Sequence, residues 1–280
     1  MEELRLDPGN RPALAEWDGE LGRHWARHAA DFEAGLRRYL EPWFEAAGLG
    51  DHDRVLDVGC GAGESTIEAT RRAPSGSAVG IDLSRPMLEV ARRRAAGMPN
   101  ARFIHGDAQV HHFDPGEFDV ALSRNGTLFF ADGPAAFANI AAAVRPGGRL
   151  ALLVWGPIDE NPWLTTVNRI VAAGRHLPGP PPGAPGPFSM SDPDRVTSLL
   201  SGSGWRDVRL DLLAEPLYLG PDADTAWSVL RGGLGWALQD LDETQRAEVA
   251  AEMHEELAAR TSDDGVQFPS AMWLVSAARA

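Results

Sequence analysis

The feature that most constrains this chain is an alternation of short apolar runs and helix-compatible stretches between residues 53 and 155. The apolar runs lie at 55–58, 77–81, 101–105, 118–123 and 149–155. Amphipathic stretches separate them, at 64–73, 86–96 and 134–144. This alternation is typical of a mostly parallel sheet with helices packed on both faces. The sequence therefore predicts an α/β fold, and two later runs at 205–213 and 271–278 bring the expected sheet to seven strands.

The segments on either side of this alternation predict helices. Apolar residues from Leu14 to Ala29 recur at spacings of three and four, which places them on one helix face. Asp31 is the expected N-cap of a second helix, and Pro42 is expected to kink or break it. Residues 177–187 are rich in Pro and Gly and predict no regular element.

The domain organisation follows from these patterns. A chain of 280 residues allows one large domain or one domain with an insertion. We expect an N-terminal helical cap at 1–50, a core at 51–221 and 265–280, and a helical insertion at 222–264 that forms a lid or an oligomer contact.

Charge and composition exclude several function classes. The formal net charge is -14, from 26 Arg and 40 acidic residues, which disfavours both nucleic acid and anionic membranes as partners. The single cysteine, Cys60, permits neither an intrachain disulfide nor a cysteine-based metal site, so no metal is expected. The acidic N-terminus lacks an apolar signal region, and the apolar run near 150–155 is too short to span a membrane. We therefore expect a cytoplasmic protein, for which a homo-oligomer is possible.

The most informative segment is the glycine-rich loop Gly59-Cys60-Gly61-Ala62-Gly63 that follows the first apolar run. Glycines here let the backbone turn sharply and approach a ligand closely. A dinucleotide fingerprint would need Gly or Ala where Glu64 or Thr66 stands, so that interpretation fails. Asp57 and Glu64 flank the loop, and two carboxylates would repel a pyrophosphate but attract an ammonium or sulfonium group.

Two further acids follow the next two predicted strands. Asp82 ends the second strand, where an acid can accept hydrogen bonds from both hydroxyls of a ribose. Asp107 follows the third strand, where it could accept from an exocyclic amine such as that of adenine. A ligand with a cationic end, a ribose and adenine, but no phosphate, is S-adenosylmethionine.

These segments resemble the successive motifs of class I S-adenosylmethionine-dependent methyltransferases. The resemblance is carried by residues 55–64, 80–84, 106–108 and 146–150, and it implies a Rossmann-like fold. More weakly, residues 17–19, 123–130 and 161–163 look like a bacterial subgroup related to ubiquinone/menaquinone-type methyltransferases. That subgroup usually reads Ser-Arg-Phe-Gly where this chain has Asn125, which would alter the pocket.

The resemblance implies roles residue by residue. Asp57, Gly59, Gly61 and Gly63 would frame the methionine moiety, and Asp82 would hold the ribose. Leu83 would pack on adenine, whose edge Asp107 and Ala108 would read. The predicted cofactor-binding set is completed by Trp25, Cys60 and Ser123.

The acceptor side is less defined by the sequence. Methyl transfer from a sulfonium needs a base only when the acceptor must lose a proton. The candidate catalytic residues are His24 and His28, spaced i, i+4 in the N-terminal cap, and Arg124 at the end of the fourth strand. The candidate substrate-pocket residues are Trp17, Asn125, Trp155, Trp163 and His176.

The sequence leaves several functions open. The leading hypothesis is a methyltransferase acting on an O, N or C centre of a small molecule, in bacterial specialised or quinone-like metabolism. The alternatives are a peptide or protein methyltransferase, a non-catalytic S-adenosylmethionine-binding module and, more distantly, a nicotinamide oxidoreductase. The absence of a Pro-Pro-aromatic motif after Ser123 argues against nucleic-acid amines as acceptors.

Overall fold

A computed structural model describes residues 4–177, 181 and 183–280. Four residues of the Pro- and Gly-rich segment, 178–180 and 182, lie outside this part. The described strands are β1 (Arg54–Val58), β2 (Ser77–Asp82), β3 (Ala101–His105), β4 (Phe118–Arg124), β5 (Val144–Trp155), β6 (Trp205–Gly220), β7 (Thr261–Ser262) and β8 (Gly265–Arg279). The described helices are α1 (Arg11–Trp17), α2 (Glu20–Arg27), α3 (Ala29–Gly35), α4 (Arg37–Ala47), α5 (Glu64–Arg72), α6 (Arg85–Arg94), α7 (Gly133–Ala143), α8 (Pro162–Ala172), α9 (Pro193–Gly202), α10 (Ala223–Gly232), α11 (Gly235–Leu238) and α12 (Glu243–Ala258).

The strands form one sheet in the order β3-β2-β1-β4-β5-β8-β6, and β7 pairs with β8 off this path. The first five strands of the chain pair in parallel, whereas β8 runs antiparallel to β5, β6 and β7. The predicted mostly parallel α/β fold is confirmed, with the two-residue β7 as an eighth strand in the described part of the chain. Because the parallel strands end at one edge, the loops after β1, β2, β3 and β4 meet there.

The N-terminal region differs from its prediction. Four short helices replace the two expected, and the boundaries between them fall near Gly19, His28 and Leu36. Asp31 lies in the first turn of α3 and is not an N-cap. Pro42 lies inside α4, which continues through it to Ala47. The apolar periodicity was real, but three short helices share the apolar face that one helix was expected to carry.

The antiparallel strands β6 and β8 are longer than the sequence predicts. Each contains a proline, a residue that argues against a strand in the sequence. Pro216 of β6 lies opposite Pro269 of β8. The fully buried Tyr39 bridges the two strands beside them. Its hydroxyl accepts from the Glu215 N–H at 3.1 Å, lies 2.9 Å from the Glu215 carbonyl oxygen and lies 2.7 Å from Ser270 Oγ. A buried hydroxyl thus bonds to the N–H and C=O groups of Glu215, next to the pair of prolines.

The later helices lie against this sheet and against each other. Helix α9 packs on β6, and α10 packs on α12, on β6 and on α2 of the N-terminal region. No described helix is both long enough and apolar enough to cross a membrane.

Candidate active site

The loop after β1 requires glycine at three positions. Gly59, Gly61 and Gly63 all have left-handed backbones, with φ of 68°, 53° and 87°. A Cβ on Gly59 would lie 2.5 Å from the Cα of Gly126, in the loop after β4. A Cβ on Gly63 would lie 2.8 Å from that of Ala91 in α6. The loop is therefore packed tightly between its neighbours, and its backbone faces the edge where the parallel strands end.

Asp57 lies beneath this loop and is fully buried. Its Oδ2 accepts hydrogen bonds of 2.6 Å from the hydroxyls of Ser65 and Thr66. Its Oδ1 is buried without a hydrogen-bond partner. Burial raises the pKa of this carboxyl, although the two hydroxyls oppose the shift. A buried acid with one unused oxygen is suited to a cationic ligand group, which would also favour its ionised form.

Asp82 at the end of β2 is tied to the same loop. Its Oδ2 accepts from the Gly61 N–H, and its Oδ1 accepts from the Ser84 N–H, each at 2.8 Å. Burial raises the pKa of Asp82 to about 6, although these backbone donors favour the charged form. Leu83 follows, half-buried, and its carbonyl oxygen lies 3.0 Å from His105 Nε2.

Asp107 after β3 is held by the N-terminal segment. Its Oδ2 accepts from the Asp7 N–H at 3.0 Å and from Asn10 Nδ2 at 2.9 Å, and its Oδ1 accepts from the Gln109 N–H at 3.0 Å. Asn10 is 2% exposed and also accepts from the N–H of residue 131. The neighbouring Ala108 is buried, with its carbonyl oxygen bonded to an amide of α7. The N-terminal segment therefore fixes the third acid in place.

The two remaining loop residues of the predicted cofactor set are structural neighbours of the glycines. Ser123 Oγ donates to the Val58 carbonyl oxygen at 2.7 Å, which joins the ends of β1 and β4. Cys60 is buried, and burial raises the pKa of its thiol well above the usual range. Its Sγ lies 2.7 Å from where a Cβ on Gly80 would stand, so β2 also approaches this loop closely.

The end of β4 carries the least satisfied polar group near the loop. Asn125 has a left-handed backbone, with φ of 61°, and its Oδ1 and Nδ2 are both buried without a hydrogen-bond partner. The preceding Arg124 forms a 2.6 Å ion pair with Glu64, which opens α5. Its guanidinium carbon also lies 6.0 Å from the ring centre of Phe32 in α3. Arg124 is thus partnered, whereas the adjacent amide has unused donors and acceptors.

Two histidines of the N-terminal helices occupy different environments. His24 is buried, and its Nε2 lies 2.9 Å from the Val229 carbonyl oxygen of α10. Burial lowers the pKa of His24. His28 is partly exposed, and its Nδ1 lies 2.9 Å from Asp31 Oδ2. The two rings lie 4.6 Å apart.

Aromatic side chains link these helices to the sheet edge. Trp25 packs edge-on against Phe32 at 5.0 Å, and Phe32 lies beside Arg124. Trp17 packs edge-on against Phe129, in the loop after β4, at 5.1 Å. Both tryptophans therefore stand between the N-terminal helices and the ends of the strands.

The other predicted pocket residues lie beyond β5. Trp155 is buried, and its ring centre lies 5.0 Å from that of Trp163 and 6.4 Å from that of Phe188. His176 is exposed after α8, next to Arg175, which donates to a carbonyl oxygen of α11. The structure thus groups Trp155 and Trp163, and it places His176 on the surface beside the later helices.

The arrangement fits S-adenosylmethionine. Three acids lie at the ends of consecutive parallel strands, the glycine loop offers close backbone approach, and Asp57 Oδ1 lacks a partner. Among the described residues, no group of three or more His, Cys, Asp or Glu could hold a metal ion. Sequence reasoning missed Asn10, Asp31 and Phe32 as parts of this region. Asn10 gave no local signal because its partners lie about 100 residues away.

Comparison with known proteins agrees with this geometry. Residues 55–148 match the family model described as a methyltransferase domain. The chain is 32% identical to nocamycin O-methyltransferase of Saccharothrix syringae over 74% of this chain and 79% of that protein. It is also 36% identical to demethylmenaquinone methyltransferase of Thermus thermophilus, over 37% of this chain and about half (48%) of that one. Among solved structures, the YcgJ protein of Bacillus subtilis aligns with a TM-score of 0.58 at 20% identity, covering 87% of this chain and 98% of that one.

The fold and the site define an enzyme that uses S-adenosylmethionine as its methyl donor. The chain belongs to the class I S-adenosylmethionine-dependent methyltransferases.

Proposed function

We propose that this enzyme methylates an oxygen centre of an uncharged small molecule in bacterial specialised metabolism. The observation that carries the proposal is the buried, unpartnered amide of Asn125 at the end of β4. The similarity to nocamycin O-methyltransferase, which extends over 74% of this chain, supports oxygen as the acceptor.

The amide of Asn125 offers one acceptor oxygen and two donor hydrogens. A hydroxyl can donate to its Oδ1, and a neighbouring oxygen of the same molecule can accept from its Nδ2. Neither contact brings a charge. An uncharged acceptor that carries both groups would satisfy an amide that is otherwise costly to bury, by about 1–3 kcal/mol.

We propose His28 as the base and Asp31 as the residue that positions it. The Asp31 carboxylate lies 2.9 Å from His28 Nδ1, which favours a proton on that nitrogen and leaves Nε2 to receive one. His24 cannot be used in the same way, because its Nε2 contacts the Val229 carbonyl oxygen. We assign His24 to the junction between α2 and α10, and Arg124 to the ion pair with Glu64.

We propose that the acids at the strand ends hold the cofactor as the family resemblance implies. Bound there, S-adenosylmethionine supplies a methyl group on a sulfonium. Asp57 would meet its cationic end, Asp82 its ribose and Asp107 its adenine, with Leu83 and Ala108 beside the ring. Trp25, Cys60 and Ser123 would shape the same pocket. The loops packed around Gly59 and Gly126 would exclude water from it.

Aromatic side chains are the proposed walls of the acceptor pocket. Trp17 packs on Phe129, which follows Asn125 in the loop after β4, and is therefore the proposed wall on that side of the pocket. Trp155 and Trp163 form the cluster beyond β5. His176 and the 222–264 insertion would lie at the entrance. The His24 contact with α10 supports that placement, because it joins the insertion to the N-terminal cap.

The test is methyl transfer from S-adenosylmethionine labelled with ¹³C in its methyl group. The acceptors are a panel of phenols and enols with an adjacent carbonyl, and matched panels of amines, carbon nucleophiles and basic peptides. The ¹³C chemical shift of the product distinguishes O-, N- and C-methyl groups directly. We expect an O-methyl signal from the hydroxy-carbonyl compounds, reduced at least tenfold in Asn125→Gly and in Asp31→Asn.

Other outcomes would replace this proposal. Labelling of basic peptides alone would favour the peptide methyltransferase, and N- or C-methyl products would overturn oxygen as the acceptor. Binding of S-adenosylhomocysteine in calorimetry without transfer to any panel member, while native extracts also stay unlabelled, would favour a non-catalytic binding module.

A further inference from the structure

One edge of the sheet is long, exposed and unpaired. Strand β6 is its last strand, and within the described part of the chain it pairs with β8 alone. Six of the nine residues in the segment 206–214 are exposed. The opposite edge strand, β3, has only five residues. An exposed edge with free N–H and C=O groups is a template for pairing with another strand.

The outward backbone groups of β6 can be identified from the pairing. The carbonyl oxygen of Ala271 accepts a hydrogen bond from the residue after β5, so Ala271 faces β5. Since successive residues of a strand alternate in direction, Leu274 faces β6, where it is opposite Asp211. The N–H and C=O groups of Leu210 and Leu212 therefore point away from the sheet.

The side chains around these groups carry both charge and apolar surface. Arg209 and Asp211 are exposed on one face of β6, and neither has an ion-pair partner among the residues that the structure describes. Leu210 and Leu212 lie on the other face, and Leu212 is 40% exposed. Residues 206–214 contain two arginines and two aspartates before Glu215. The edge is locally balanced in charge although the whole chain carries -14.

If two β6 edges pair antiparallel about a twofold axis, the residue on that axis decides which side chains of the two copies lie opposite one another. With Leu210 on the twofold axis, Arg209 of each copy lies opposite Asp211 of the other, and Leu210 lies opposite itself. With Asp211 or Arg209 on the axis, like charges lie directly opposite one another, which is unfavourable. With Leu212 on the axis, Asp211 lies opposite Leu213 and loses its ionic partner. The Leu210 register alone satisfies both unpaired charges.

We propose that two copies of this chain associate through their β6 edges, antiparallel, with Leu210 on the twofold axis. The two sheets then continue into one, and each interface contains two Arg209–Asp211 pairs on one face. On the other face Leu210 meets Leu210 and Val208 meets Leu212. This is an isologous interface, in which one surface is its own complement.

Charge exchange tests this register. Sedimentation velocity and light scattering measure the dimer dissociation constant for the wild type, Arg209→Asp, Asp211→Arg and the double variant with both changes. Each single change sets two like-charged pairs opposite one another, and we expect the dimer to weaken by about tenfold or more. The double variant restores opposite charges and should restore dimerisation. Arg93→Asp, on the exposed surface of α6, is the control for net charge.

A wild-type protein that is monomeric at all concentrations would overturn the proposal. Dimers unaffected by either single change, or weakened equally by Arg93→Asp, would place the interface elsewhere. Failure of the double variant to dimerise, with circular dichroism and thermal unfolding like those of the wild type, would refute the Leu210 register.

Discussion

Replacing Asn125 by glycine should make the enzyme more stable and less active. Glycine adopts the left-handed backbone at φ of 61° without strain, which favours the variant by up to about 1 kcal/mol. It also removes a buried amide without partners, whose burial costs about 1–3 kcal/mol. Against this, glycine adds about 0.5–1 kcal/mol of unfolded-chain entropy, and lost side-chain packing costs about 1 kcal/mol. We expect the free energy of unfolding to rise by about 1 kcal/mol.

The assay for this prediction combines calorimetry with transfer kinetics. For a chain of this size the expected gain is an increase in Tm of about 2–4 °C. S-adenosylhomocysteine affinity should change little, whereas O-methyl transfer should fall. Asn125→Asp is the matched comparison, because a buried carboxylate without a partner should destabilise the protein most at alkaline pH. A decrease in the Tm of Asn125→Gly by several degrees would refute the reasoning, since it would mean that the amide stabilises the free protein.

Three further changes test other parts of the site. Gly59→Ala should weaken S-adenosylhomocysteine binding at least tenfold and destabilise the fold by about 2 kcal/mol or more, because its Cβ would overlap the loop after β4. Gly97→Ala, also left-handed but with open space around it, should cost only about 1 kcal/mol in chemical denaturation; equal losses would contradict the packing argument. Because burial lowers the pKa of His24, its native form binds fewer protons than the unfolded chain, so its contribution to stability rises with pH. His24→Asn should remove that rise, which lies below the ordinary histidine pKa of about 6.5, and an unchanged pH dependence of the free energy of unfolding would show that His24 does not contribute to it. Asn10→Ala should reduce S-adenosylhomocysteine affinity about tenfold in calorimetry by releasing Asp107; unchanged affinity would show that the acid is held without it.

The core of the fold was predictable because its signals are local. Strand β3 has the predicted bounds of 101–105, and the parallel strands and the helices between them follow from apolar periodicity. The antiparallel end was only partly predictable, since Pro216 and Pro269 argue against strands. Beside this pair of prolines, the Tyr39 hydroxyl bonds to the backbone of Glu215 from a helix 176 residues away in the sequence. Such a long-range contact between a side chain and the backbone of a strand leaves no pattern in the sequence.

In the candidate site, too, the features with a local sequence signal were predictable and those that depend on distant contacts were not. The acids and glycines at the strand ends could be found from spacing alone, because strand ends in a parallel sheet meet at one edge. The clamp of Asn10 on Asp107 and the contact of His24 with Val229 depend on how distant helices dock. The unusual residue Asn125 could be noticed in the sequence, but only the structure reveals that its amide is buried without a partner.

The place of β8 between β5 and β6 has a consequence for how this enzyme is made. The ribosome completes β6 before it begins β8, so the emerging β6 has no strand to pair with on either side. The strands β1 to β5 can assemble before β8 is made, because their parallel pairs involve only one another. A nascent chain stalled between residues 220 and 265 would therefore expose the free outer edge of β5, which pairs with β4 alone, and the whole of β6, which has no partner yet. Such a chain is a natural substrate for chaperones and is prone to aggregate until β8 closes the sheet.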